Sequence, residues 1–148
     1  MSSLLINALT LWLLLGGGNS LLPPITNAQI VKAEYVKNVN LWIEKLSIVE
    51  SGNNASIRIL DSNQKYSTGC LQFQDATFLT YVRRYKMLPS AEDDEVMNYL
   101  YDCDFQKLLG TMMILENFNN WQHWFNSTNK IGYPPKNPFN DQIKKEKT

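Results

Sequence analysis

The sequence predicts a mostly α-helical, α+β domain carrying one small β-hairpin. Apolar residues recur at three- and four-residue spacing around Val36–Leu46, Phe78–Tyr85 and Phe105–Leu115, which is the helical period. One stretch alternates instead: Ile57-Arg58-Ile59, then the turn-forming Asp61-Ser62-Asn63, then Lys65-Tyr66-Ser67. The chain of 148 residues has room for a single core, and neither a repeat nor a linker divides it.

Residues 1–28 are expected to form a signal peptide or a retained N-terminal anchor. Leu4–Leu15 is apolar, too short for a comfortable membrane span but suited to the hydrophobic region of an export signal, and Thr26-Asn27-Ala28 offers small residues for cleavage. No Lys or Arg precedes the run, the first being Lys32, so the usual basic start is missing and a buried core helix is the alternative. An exported protein follows, periplasmic, envelope-associated or extracellular, with its N-terminal segment touching membrane if retained.

The domain is expected over 33–129. Its first helix runs from about 33 to 51, with Val36, Val39, Ile43 and Leu46 inward. Glu50 lies within roughly 20–40° of Val39, Ile43 and Leu46 around the axis, whereas Glu44 falls about 120° away and faces water. Gly52 suits the left-handed residue that stops a helix. A two-stranded ribbon as short as the hairpin survives only packed against another element, and the Glu50 helix is the nearest candidate.

A second helix is expected from about 74 to 85, with Phe78, Tyr81, Val82 and Tyr85 on its apolar stripe. A third, over 93–100, is opened by the acidic run Glu92–Glu95. Asp102 reads as the N-cap of a central packing helix bearing Phe105, Leu108, Leu109, Met112 and Leu115. A short last helix covers Trp121–Asn126. Residues 130–148, with Pro134, Pro135, Pro138 and a Lys-rich end, form an extended or flexible tail.

Fourteen basic and fourteen acidic side chains cancel, so no global field draws the chain to nucleic acid, and a neutral or mixed-charge partner is expected. Two cysteines and one histidine make a zinc site improbable; neither metal nor cofactor is expected, and the protein reads as a monomer. Cys70 and Cys103 could pair in an exported chain, where closing the loop would contribute about 3–4 kcal/mol, but two buried free thiols are the plainer reading. Trp121, Trp124, Phe125 and Tyr133 serve either as core or as platforms for sugar rings.

The chemistry concentrates in residues 42–73. A carboxylate on the apolar face of a helix's last turn is disfavoured as an anion twice, by desolvation and by the negative end of the macrodipole, so Glu50 is a candidate acid. Val49-Glu50-Ser51-Gly52-Asn53, then Ser67-Thr68-Gly69-Cys70-Leu71-Gln72-Phe73 with Thr77 beyond, resembles the soluble lytic transglycosylase domain and its goose-type lysozyme relatives. Gln106 and Gly110 resemble the family's next motif, and Phe125-Asn126-Ser127 is the nearest counterpart of its third, with Phe where a Tyr hydroxyl would stand.

The resemblance implies a lysozyme-like fold whose hairpin flanks the active-site cleft, and cleavage of the β-1,4 bond between N-acetylmuramic acid and N-acetylglucosamine in peptidoglycan. It implies Glu50 as the catalyst and Ser67, Gln72, Phe73 and Asn126 as substrate-binding residues. Asp61 is a possible second carboxylate; a turn residue bonding its own backbone is the plainer reading. Asp75 fits a helix start, and Glu116, near another helix end, fits a structural role. His123 reads as a solvated or packed residue. The contrasting functional class is a catalytically inactive cell-wall-binding or structural module with the same fold.

Overall fold

The computed structural model describes residues 23–139. Helix α1 (Asn27–Ser51) leads into a three-stranded antiparallel sheet in the order β1 (Arg58–Leu60), β2 (Tyr66–Thr68), β3 (Phe73–Gln74). Helix α2 (Asp75–Arg84) follows, then α3 (Asp93–Asn98) continuing into a 3-10 turn at Tyr99–Tyr101, α4 (Cys103–Glu116), a 3-10 stretch over Phe118–Trp124, and α5 (Phe125–Ile131). The expected mostly helical α+β class is what forms.

Helix α1 begins six residues earlier than the sequence suggested. Thr26 and Gln29 make a reciprocal capping box: the Gln29 amide donates to Thr26 Oγ1, and the Thr26 amide donates to Gln29 Oε1 at 2.8 Å. The segment read as a cleavage site is thus the N-cap and first turn of α1. The apolar run Leu4–Leu15 and the Lys-rich end lie outside the described residues. Among the described residues no helix is long and apolar enough to cross a membrane.

At its other end α1 stops where expected. Gly52 sits in the left-handed region, at φ 65°, and its amide reaches back to the Ile48 carbonyl. Tyr35, Val39, Trp42, Ile43 and Leu46 are buried along one face, and Glu44 points outward to pair with Lys107. Trp42 Nε1 donates to the Gly132 carbonyl, tying the chain after α5 back to α1.

The central helix α4 has the expected N-cap, Asp102, which accepts from the Phe105 amide, but its buried face is phased differently. Gln106, Leu109, Gly110, Met113 and Ile114 face the core, while Leu108 is 53% exposed. The helix is apolar nearly all round, so periodicity misassigns its stripe when the true face carries a Gln and a Gly. A Cβ on Gly110 would come within 2.8 Å of Leu71 Cδ1 and 3.1 Å of Ile43 Cδ1. The missing side chain lets α4 approach α1 and the segment around Leu71.

The hairpin pairs Arg58 with Thr68, Ile59 with Ser67 and Leu60 with Tyr66. A third strand, absent from the sequence reading, pairs Thr68 with Phe73 and Ser67 with Gln74. At two residues it is too short to show alternation, yet it seats Phe73 edge-on to Phe78 and Trp124 in the core. The last helix also differs: 3-10 geometry covers Phe118–Trp124, and α5 runs to Ile131, past the point where a tail was expected.

Cys70 and Cys103 form a disulfide with Cα atoms 5.3 Å apart, joining the segment after β2 to the start of α4. Closing a loop of sequence separation 33 restricts the unfolded chain. Reduction is expected to cost about 3–4 kcal/mol. Urea denaturation with and without reductant measures it; equal midpoints would show that the bridge contributes no stability.

Candidate active site

Residues Gly69–Gln72 pass through the protein interior without regular structure, so every backbone group there needs a partner. The partners are side chains from two helices and the 3-10 stretch. Gln106 Oε1 accepts from the Leu71 amide at 2.7 Å, and Gln106 Nε2 donates to the carbonyls of Thr68 and Leu100. Ser51 Oγ, one residue past Glu50, donates to the Cys70 carbonyl at 2.9 Å. Trp124 Nε1 donates to the Leu71 carbonyl at 2.7 Å.

Gly69 has φ 81°, and a Cβ there would overlap Gln106 Nε2 and stand 2.6 Å from the Leu100 carbonyl oxygen. No other residue fits. The amide of Gln72 returns to the Gly69 carbonyl, and its side-chain Nε2 donates to the same oxygen at 2.7 Å.

Gln72, at the end of this segment, lines a cleft of about 520 Å³ that also takes in the end of α1, the hairpin and the Gln122–Ser127 stretch. Glu50, Asp61, Ser67, Gln72, Phe73 and Asn126, the six residues singled out from the sequence, all line it. Their positions within it differ. Phe73 is 2% exposed, so its ring belongs to the core and little is left for a ligand to touch. Ser67 is buried, and its hydroxyl donates to Asp61 Oδ2. Gln72 has committed its Nε2 to the chain, leaving Oε1 as an acceptor. Asn126 is exposed in the first turn of α5.

Glu50 is half-buried in the last turn of α1. Burial raises its pKa above the ordinary carboxylate value, and the nearby Asp61 charge raises it further; the Ser127 hydroxyl and the exposed Lys130 ammonium pull the other way. The net is upward. A carboxyl group that holds its proton more tightly than an ordinary glutamate, in a cleft open to solvent, can deliver that proton to a bound molecule.

Asp61 is more than a turn residue. Its backbone does close the hairpin turn, the amide to the Lys65 carbonyl and the carbonyl to the Gln64 amide. The side chain, however, takes Ser67 Oγ and Gln74 Nε2 on a single oxygen, Oδ2, and Asn63 does the side-chain-to-backbone bonding, accepting from Lys65. Asp75 opens α2 and lies 4.0 Å from Arg58. Glu116 lies outside the cleft, paired with Arg84 at 2.7 Å and accepting from the Tyr85 hydroxyl. Burial and that carboxylate hold the Tyr85 phenol well above its ordinary pKa. Glu116 is structural.

Several residues of the cleft were not singled out from the sequence as site residues. Asn63, Gln74, Gln122 and Ser127 bring amides and a hydroxyl to it, and His123 stands in the wall beside Trp124. Burial against its neighbours pushes the His123 imidazole below the ordinary histidine pKa. Apart from Glu50, Asp61 and His123 the lining is made of amide, hydroxyl and apolar side chains, which suits a molecule rich in hydroxyl and amide groups.

The late aromatics divide. Trp124 is core, while Trp121, half-buried, stacks with exposed Phe125 and meets exposed Tyr133 edge-on at 4.9 Å between centroids. Among the described residues no three His, Cys, Asp or Glu side chains come together as a metal site would require. Comparisons with protein-family models, curated proteins and solved structures give no match for the chain.

Proposed function

We propose that this chain cleaves the glycan strands of peptidoglycan, as a lysozyme-like domain in which Glu50 is the catalytic acid. One observation carries the reading: Glu50 stands half-buried at a helix end in an open cleft, with a raised pKa and a wall of amides and hydroxyls around it. Breaking a glycosidic bond needs a proton on a poor leaving oxygen while positive charge develops on the sugar ring. Glu50 supplies the proton. The carboxylate of Asp61, close enough to act on Glu50, favours the developing cation.

What then attacks the sugar decides the product. The sugar's own 6-hydroxyl gives an anhydro end, the lytic transglycosylase outcome; water gives a reducing end, the lysozyme outcome. Asp61 reaches the cleft with Oδ2 occupied by Ser67 and Gln74, which leaves Oδ1 to accept from a water. Water attack is therefore the favoured course. Such an enzyme meets its substrate outside the cytoplasm, the location expected from the apolar N-terminal run.

Digestion of purified sacculi followed by mass spectrometry tests both parts. The expected result is soluble fragments with reducing ends. Anhydro ends, lighter by one water, would remove the role given to Asp61 but keep that of Glu50. Binding to sacculi without release of fragments would replace the enzyme with a wall-binding module.

A further inference from the structure

His123 is the sole histidine of the chain, and nothing said so far gives it a task. Behind it runs a chain of hydrogen bonds that ends on the main chain of α4. Asn120 Nδ2 donates to the Met113 carbonyl at 2.8 Å, which fixes the amide so that Oδ1 faces the other way. Tyr81 OH donates to that Oδ1 at 3.2 Å. The hydroxyl has one proton and has spent it, so toward His123 it can only accept.

His123 Nε2 lies 3.2 Å from the same hydroxyl. It must therefore carry a proton. In the neutral ring the other nitrogen, Nδ1, is then left as a bare acceptor. The exposed ring also meets Tyr81 edge-on at 5.6 Å and Trp124 at 6.0 Å between centroids. His123 lines the cleft, whereas Tyr81 and Asn120 stand behind it.

We propose that His123 reads the substrate. Held as the Nε2–H tautomer by Tyr81, Asn120 and the Met113 carbonyl, it offers Nδ1 to a hydroxyl or acetamido N–H of a sugar bound in this cleft. This rests on the glycan reading above and adds a specificity-determining residue to it. An acceptor with no proton to give selects for donor groups and leaves a carboxylate or carbonyl unpaired at that position.

Two substitutions separate the reading role from a merely structural one. The oxygen of Asn can stand where Nδ1 stood, and the amide nitrogen of Gln can stand where Nε2 stood. His123→Asn thus keeps the acceptor and loses Tyr81; His123→Gln keeps Tyr81 and loses the acceptor.

Binding of chitohexaose, the β-1,4 hexamer of N-acetylglucosamine, is measured by tryptophan fluorescence in a Glu50→Gln background. Turnover of sacculi by the same His123 variants, with Glu50 intact, gives KM and kcat. His123→Gln is expected to weaken binding about five- to tenfold, with the loss falling on KM, and His123→Asn to restore most of it.

Loss in both variants, or a larger loss in His123→Asn, would make His123 a prop for Tyr81. No loss in either would show that the ring does not touch the sugar. If the unaltered protein neither binds the hexamer nor turns over sacculi, the glycan reading fails, and this proposal with it.

Discussion

Replacing Glu50 by Gln is expected to lower turnover of purified sacculi by about 10²–10⁴-fold, the range in which a positioned acid contributes. Gln fills the same space and can donate a weak hydrogen bond, but it has no proton to transfer. With Glu50 intact, activity should fall as pH rises through a pKa displaced upward by burial and by Asp61, so the alkaline limb lies above the ordinary range for a glutamate. Release of soluble fragments as a function of pH measures both. A Glu50→Gln protein retaining most of its activity would end the assignment.

The same variant has a stability signature of the opposite sign. Because the folded chain holds the Glu50 proton more tightly than the unfolded chain, stability falls as pH rises from the ordinary glutamate pKa through the raised one. Above that window the native state carries a partly buried anion at the negative end of α1. Gln has no charge to bury. The Tm of Glu50→Gln should exceed that of the unaltered protein at about pH 8 and meet it at about pH 3. A catalytic residue that costs stability in its charged form would show in this crossing of function against fold.

Gln106→Met is expected to be the most destabilising single change in the cleft's support, at about 3–5 kcal/mol. The side chain is fully buried and serves three main-chain groups, the Leu71 amide and the Thr68 and Leu100 carbonyls. Methionine matches its volume, so the loss is one of hydrogen bonds; each buried group left without a partner costs about 1–3 kcal/mol. The midpoint of urea denaturation reads the effect. A shift under about 1 kcal/mol would mean that water or rearranged backbone satisfies those groups. Activity should fall with stability, since the Leu71 segment carries the wall that holds Gln72.

What could be read from the sequence follows from how local each signal is. Gly52 needs only its own left-handed φ to stop α1, and Asp102 needs only the Phe105 amide to start α4, so both ends were legible. The start of α1 was hidden because Thr26 and Gln29 lie where an export signal was expected to end. Strand β3 exists through its pairing with β2 and has no periodicity of its own.

In α4, Gln106 and Gly110 sit on the buried face for reasons that lie elsewhere in the chain, in the orphaned groups of Gly69–Gln72 and the bulk of Leu71 and Ile43. A periodic reading placed Leu108 inward instead. The site divides in the same way. Glu50 was found from its angle around α1, and Asp61 from its turn. His123 was read as a solvated or packed residue, and its ring is exposed and set against Tyr81 and Trp124; its link to Tyr81 and Asn120, 42 and 3 residues away, is not local enough for the sequence to show.

The supports of the cleft are built to different tolerances. On one side, Gly69–Gln72 is fastened by Gln106, Ser51, Trp124 and the Cys70–Cys103 bridge, so its amides exchange with solvent only when part of the core opens. On the other, β1 is exposed along its whole length, and the turn from Ser62 to Lys65 is exposed as well. Opening the hairpin uncovers little apolar surface and costs correspondingly little. Asp61 rides on the side that opens more cheaply, and Glu50 on the helix that the core holds.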